Sequence, residues 1–252
     1  MELRVLKTEL KEILPLRKLF LEENHFQIRY NACHERNWSD SYLFTLDALP
    51  IGYGSIKGKE DLKNRDTVFE FFIVAQYQSL ASQFFIELIK TSGVAYVESQ
   101  SNELLSTRML YEFGQDIRSE VILFKDSVAT ELDIPNTIFR LKAQEDVIFH
   151  HSLEPVGEYV LEKSGRIVAT GGFMRHYNFP FADLYMEVNE DYRKMGLGSF
   201  LLQEIKKECY KSGRVPAARC NIQNKASQAT LLKAGLVVAG FMLEGVIKNI
   251  EA

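Results

Sequence analysis

The segment Val188-Asn189-Glu190-Asp191-Tyr192-Arg193-Lys194-Met195-Gly196-Leu197-Gly198 has the clearest chemical content of any in this chain. An apolar run ends at Val188, a basic glycine-containing loop follows, and helical periodicity begins after it. Gly196 and Gly198 let backbone approach a ligand with no Cβ in the way. Arg193 and Lys194 bring positive charge. The first N–H groups of the next helix lack intrahelical acceptors, and the helix dipole favours an anion at that end. This arrangement suits a pyrophosphate, and the loop alone leaves open which one.

Just upstream, period-two alternation puts Asp183, Tyr185 and Glu187 on one face of a strand and Leu184, Met186 and Val188 on the other. Either carboxylate could take a proton from a nucleophile, with Glu187 nearer the loop and preferred. A salt bridge or plain exposure accounts for both equally well. His176-Tyr177-Asn178-Phe179-Pro180-Phe181 could line a pocket, or could be a proline-stiffened turn with buried aromatics. His150-His151 and Cys33-His34-Glu35 lack a convergent third metal ligand and read as solvated loop residues. Gly52-Tyr53-Gly54 lacks the spacing and the following helix of a dinucleotide loop.

The elements that must position these residues occur twice in the same order. In the second half, Tyr159–Glu162 and Ile167–Phe173 read as a hairpin around a Gly-containing turn. A strand at Leu184–Val188, a helix at Ser199–Tyr210, a strand at Pro216–Ile222, a helix at Lys225–Lys233 and a β-like run at Leu236–Ile247 follow. Gly213 stands where a left-handed cap would end the first of these helices. In the first half, Tyr42–Leu46 and Ile51–Ile56 form a hairpin, then come a strand at Val68–Val74 and a helix at Phe84–Lys90. A strand at Val94–Glu98, a helix at Glu103–Phe113 and a strand at Val121–Phe124 complete it. Asp126–Asn136 is the linker candidate. The expectation is two tandem α/β units, residues 1–130 and 137–252; one irregular α/β domain is the competing reading.

Composition sets the broad class. The 252 residues are 46% hydrophobic and 25% charged with a formal charge of −4, which argues for a folded domain and against a general nucleic-acid binder. Three widely spaced cysteines fit a reducing compartment. The N-terminus lacks a signal-peptide core, and no apolar run approaches the roughly 18 residues of a membrane-spanning helix. A cytoplasmic protein is expected, a monomer or homodimer without membrane or nucleic-acid partners.

With these residues in place, the second half resembles the GNAT superfamily of N-acetyltransferases. Their phosphate loop reads Arg/Gln-x-x-Gly-x-Gly/Ala, which Arg193 to Gly198 match at each fixed position, and Asn224 to Gly235 look like the family's Asn-led helix. The resemblance implies a mixed α/β sheet with acetyl-CoA in a V-shaped gap between the Leu184–Val188 and Pro216–Ile222 strands. Backbone from Met186 to Val188 would pair with pantetheine, amides of Met195, Gly196, Leu197, Gly198 and Ser199 would hold the pyrophosphate, and Asn224 would help place the cofactor. The reaction implied is direct attack of a small-molecule or amino-acid-like amine on the thioester. Some family members keep a catalytic glutamate near Asp183, and Tyr185 could contribute a proton. Many place a tyrosine where this chain has Leu231, and that departure keeps open a non-catalytic acyl-CoA-binding or sensory protein. Between Val74 and Phe84 the first half has neither glycine nor basic residue, so it is expected to be a degenerate, structural or substrate-shaping unit.

Overall fold

A computed structural model describes residues 2–28, 30–152 and 155–249. The outer limits expected for the two domains, 1 and 252, fall outside that range. The chain forms two compact units, Met1–Val121 with Gly240–Ala252, and Ile122–Ala239. Both boundaries lie inside long strands, so the last strand ends in the unit where the chain began. The division thus precedes the 130–137 boundary expected from sequence, and the chain beyond Ala239 belongs to the first unit rather than the second.

The first unit runs β1 (Leu3–Thr8), α1 (Leu10–Glu23), α2 (Tyr30–Glu35), β2 (Ser39–Leu46), β3 (Leu49–Lys57), β4 (Thr67–Ile73), α3 (Ala81–Ser92), β5 (Tyr96–Gln100), α4 (Leu104–Phe113) and β6 (Gly114–Asp126). The second contains β7 (Thr137–Leu141), β8 (Tyr159–Lys163), β9 (Arg166–Met174), β10 (Phe181–Val188), α5 (Leu197–Lys211), β11 (Val215–Asn221) and α6 (Lys225–Lys233), and begins β12 (Leu236–Ile247). The strand order is β1-β2-β3-β4-β5-β12-β6 in the first unit and β6-β11-β10-β9-β8-β7 in the second. The pairings described are mainly antiparallel, and in each sheet one of them is parallel: β4 with β5, and β10 with β11. The fold is therefore a tandem of mixed α/β sheets flanked by helices, as expected.

Apolar periodicity explains the layers. On α5, Leu201, Leu202 and Ile205 are fully buried against Val168, Ala169, Leu184 and Ala218. Burial of each such side chain contributes about 1.5–3 kcal/mol. In the first unit Phe84, Phe85 and Leu88 of α3 pack on Phe44, Phe71 and Ile73. The other face of that sheet is covered by α1, whose Ile13, Leu16 and Phe20 meet Tyr53, Phe69 and Phe72.

α1, α2, β1 and β7 were not anticipated; Pro15 inside α1 breaks the usual helix signal. A buried polar cluster helps fix α1 and α2. Arg17 donates twice to Glu70 Oε1 and once to Oε2 at 2.8–3.1 Å, and Tyr53 donates to Oε2 at 2.9 Å. His34 Nε2 is 3.1 Å from Glu70 Oε2. Burial alone would raise the Glu70 carboxyl, but Arg17 and His34 overcome it and hold it at about 2. His34 is thus buried in an ion cluster, correcting its reading as a solvated loop residue; a loop-like sequence gave no sign of a carboxylate arriving from β4.

The segment after β6 is not a free linker. Gln203 of α5 accepts from Leu132 N–H at 2.7 Å and donates to its carbonyl at 3.0 Å, while Lys206 donates to Val128 O at 2.9 Å. Among the described residues no helix lies between β7 and β8, and none is long and apolar enough to cross a membrane.

Candidate active site

β10 pairs with β9 along six residues, from Asp183↔Met174 to Val188↔Ala169. With β11 it pairs at three only, Phe181↔Val215 to Asp183↔Ala217. Beyond Asp183 the two parallel strands part, which opens the expected V-shaped gap. The Asn189 N–H donates to Val168 O of β9 at 2.9 Å. By alternation, Met186 and Val188 turn their N–H and C=O groups the other way, into the gap. Backbone polar groups there need partners from water or ligand.

The glycine loop stands at the wide end of this gap. Asn189 Oδ1 accepts from Asp191 N–H at 3.1 Å and starts a 3-10 turn over Glu190–Tyr192. Lys194 then takes φ 64° and Gly196 φ 80°, and Gly196 becomes the N-cap of α5. No side chain caps this helix. Its first turn therefore presents the amides of Leu197, Gly198 and Ser199 to an incoming anion, and Phe200 N–H is the first to bond back, to Gly196 O. A Cβ at Gly198 would meet Thr230 and Met186 at 3.0–3.2 Å, so this glycine also lets α5 approach α6.

Of the expected cofactor side chains, Met195 is exposed and Arg193 is half-exposed beside Glu190 at 3.3 Å, its Nε donating to Val188 O at 3.4 Å. Lys194 is also exposed. The Ser199 hydroxyl points away, donating to Thr230 O at 3.1 Å, and Leu197 is buried in the core. Both contribute backbone rather than side chain to the loop. Asn224 caps α6 by accepting from Ser227 N–H at 3.0 Å. Lys233, which sequence reasoning missed, brings Nζ to 3.5 Å from where a Gly196 Cβ would stand.

The face of β10 opposite the α5 core carries Asp183, Tyr185 and Glu187, as alternation predicts. Each carboxylate is buried beside a histidine. Glu187 accepts from Ser152 N–H at 2.8 Å and has His151 Nδ1 at 3.5 Å. His151 Nε2 is 3.1 Å from Thr170 Oγ1, and its ring stacks on Phe149 with centroids 4.7 Å apart. His151 is thus buried at the candidate site, which corrects its reading as a solvated loop residue; His150 is exposed. Asp183 accepts from Arg219 Nε at 3.3 Å and has His176 Nε2 at 3.5 Å. The Tyr185 hydroxyl lies over Gly172, and burial raises its pKa.

Leu231, which has no proton to give, stands where many family members place a tyrosine, and it lies in the core together with Cys220. Leu231 is the buried side chain of α6, and Cys220 is buried on the α5 side of β11, where burial pushes its thiol up. Among the described residues no cluster of three metal-ligating side chains occurs.

The first unit keeps the splayed pair, with β4 and β5 in register only at Thr67↔Tyr96 and Val68↔Val97. A 3-10 turn, Ala75–Leu80, replaces the glycine loop there. The carboxylate on its β4, Glu70, is locked by the Arg17, His34 and Tyr53 contacts described above.

The model of the acetyltransferase (GNAT) family matches residues 126–236. No curated protein matches the sequence. Among solved structures, an acetyltransferase of the GNAT family from Colwellia psychrerythraea is 12% identical, with TM-score 0.73 over 98% of this chain and 100% of its own. A GCN5-related N-acetyltransferase from Sphaerobacter thermophilus is 13% identical, with TM-score 0.58 over 99% of this chain and 98% of its own. A tandem GNAT protein from the clavulanic acid biosynthesis pathway is 8% identical, with TM-score 0.56 over 99% of this chain and 100% of its own. At these identities the likeness is one of fold.

Proposed function

We infer, from a chain whose residues 126–236 belong to the acetyltransferase (GNAT) family, that this protein is an acetyl-CoA-dependent N-acetyltransferase acting on a small-molecule or amino-acid-like amine. The observation that carries the reading is the parting of β10 from β11 after Asp183, next to a glycine-led helix start that no side chain caps. Acetyl-CoA supplies an activated thioester. Amides of Met195–Ser199, with Arg193, Lys194 and Lys233 around them, hold its pyrophosphate. Met186 and Val188 pair with the pantetheine arm, and a backbone N–H at this edge polarises the thioester carbonyl. Asn224 shapes the far wall by starting α6.

Asp183, with His176, is the better-placed base, because it stands where the strands separate; Glu187, with His151, holds the Ser152 segment beside it. Tyr185 lines the same face. The protein works in the cytoplasm as a monomer or homodimer, and its net charge of −4 suits neither nucleic acid nor anionic membrane as a partner. The first unit is a degenerate relative with a structural role.

Calorimetric titration of acetyl-CoA into the wild type and an Arg193→Glu, Gly196→Glu double variant tests this reading. Binding by the wild type that the variant loses supports it, and release of free thiol on adding amines completes the test. A folded wild type that does not bind acetyl-CoA refutes it. A second reading, an acyl-CoA-binding protein without turnover, is favoured by the apolar burial of Leu231 at the usual tyrosine position. Tight binding with no amine-dependent thiol release would decide for it.

A further inference from the structure

Arg219 lies on β11 next to buried Cys220, and alternation places it on the face that carries Asp183. Its Nε–H donates to Asp183 Oδ2 at 3.3 Å, and its guanidinium carbon stands 5.8 Å from the Tyr177 ring centroid. Among the described residues its terminal nitrogens have no protein partner, and the side chain is 27% exposed. His176 flanks the same carboxylate: its Nε2 is 3.5 Å from Asp183 Oδ2, buried, and without a hydrogen-bond partner. Both Arg219 and His176 meet Asp183, the last residue of β10 in register with β11, where the gap begins.

We propose that Arg219, His176 and Asp183 select an acceptor bearing a carboxylate beside its amine, an α-amino acid or a molecule with that head group. The proposal rests on the acyl-transfer reading above. A guanidinium has five N–H donors in a rigid plane, and Asp183 engages one flank. The outer pair of nitrogens then forms a fork, oriented before substrate arrives, that matches a carboxylate through two parallel charge-assisted bonds. The Tyr177 ring helps hold the plane. An amine without a carboxylate offers this fork nothing, and covering the fork would remove water from an unanswered charge.

The amine end of the same head group meets His176. The ammonium gives one proton to the Asp183–His176 pair, whose Oδ2 and Nε2 stand 3.5 Å apart, and the proton comes to rest on the imidazole. The freed lone pair attacks the thioester carbon, the C–N bond forms, and the C–S bond breaks. The nitrogen loses its second proton as the amide forms, and the departing thiolate takes one up. His176 returns its proton to solvent.

The test measures thiol release from acetyl-CoA by the full chain, offering each common L-amino acid alongside its own α-carboxamide. The carboxamide keeps the amine and the side chain and removes only the charge. At least one amino acid is expected to turn over, with a KM about 10- to 100-fold below that of its carboxamide. Arg219→Met should raise the KM for the acid by a similar factor and erase the difference between acid and carboxamide. Its acetyl-CoA Kd by calorimetry should match the wild type. His176→Gln should lower kcat with little change in KM. Equal use of acid and carboxamide overturns the proposal, as does an acid preference that survives Arg219→Met. Failure of every amino acid with a protein that binds acetyl-CoA also overturns it and leaves the cofactor reading standing. Failure to bind acetyl-CoA overturns both.

Discussion

Replacing Gly196 and Gly213 separately by alanine isolates what the glycine loop does. Both glycines adopt left-handed backbone, φ 80° and φ 73°, at opposite ends of the segment that contains α5. A Cβ at Gly213 would meet nothing within 4 Å, and one at Gly196 would meet Lys233 Nζ at 3.5 Å and Ile134 Cδ1 at 3.7 Å, which are ordinary contacts. The steric penalty is therefore small at both positions, and each alanine costs about 1–2 kcal/mol of backbone strain. Thermal melts should show similar losses for the two variants, about 3–8 °C. Their effects on acetyl-CoA should differ. Relaxing the strain at Gly196 rotates the peptide units that lead into the first turn of α5, the place proposed above for the pyrophosphate. Losing one charge-assisted bond there is worth about 1.5–3 kcal/mol, so calorimetry should show Kd rising about 10- to 100-fold. Gly213→Ala, at the other end of the helix, should stay within about twofold of wild type, since its strain does not touch the loop. Equal weakening by both variants would mean that stability, not loop geometry, governs binding. No weakening by Gly196→Ala would mean that the loop does not hold the cofactor.

Burial pushes the Glu103 carboxyl, which caps α4, up to about 8 from an ordinary 4.5. With the folded value above the unfolded one, stability is full below about pH 4.5 and falls as pH rises towards about 8. At ~1.4 kcal/mol per unit the loss is about 3 kcal/mol by pH 7. Glu103→Gln should therefore stabilise the protein in urea at pH 7–8 and not at pH 4.5; a variant with the same pH slope as wild type would refute the assignment. Glu70 works in the opposite sense: its carboxyl, held at about 2, stabilises above pH 4.5 and loses that contribution as pH falls through about 2. Glu70→Gln should cost about 3–5 kcal/mol in urea melts at pH 7, because Arg17 would be left buried and unpaired, and a cost below 1 kcal/mol would argue against the cluster. Gln203→Leu should leave both polar groups of Leu132 unanswered and cost about 1–3 kcal/mol. Hydrogen exchange should quicken at residues 128–134, and unchanged exchange there would show that Gln203 does not hold the segment.

The sequence by itself determined the elements of local periodicity and the loop chemistry. The ranges of α6 and β12, the hairpin around Ser164 and Gly165, and the helix after Gly196 all follow from apolar spacing and glycine placement, which act within a few residues of chain. The two faces of β10 were legible for the same reason: alternation is a property of one strand. Tertiary structure decided what those faces meet. His151 and His176 reach Glu187 and Asp183 through loops whose sequence carries no period, and Arg219 comes from a strand that lies 36 residues further along the chain. The distances from each histidine to its carboxylate depend on how separate segments pack, which no single window contains. β1, α1 and α2 escaped notice because Pro15 and short lengths weaken the local signal, while contacts such as Arg17 with Glu70, 53 residues apart, hold them in place. The crossing of β6 and β12 from one unit to the other also lay beyond the sequence, since a strand's own residues set its pleat and its faces, whereas its neighbours are chosen by the folded chain as a whole.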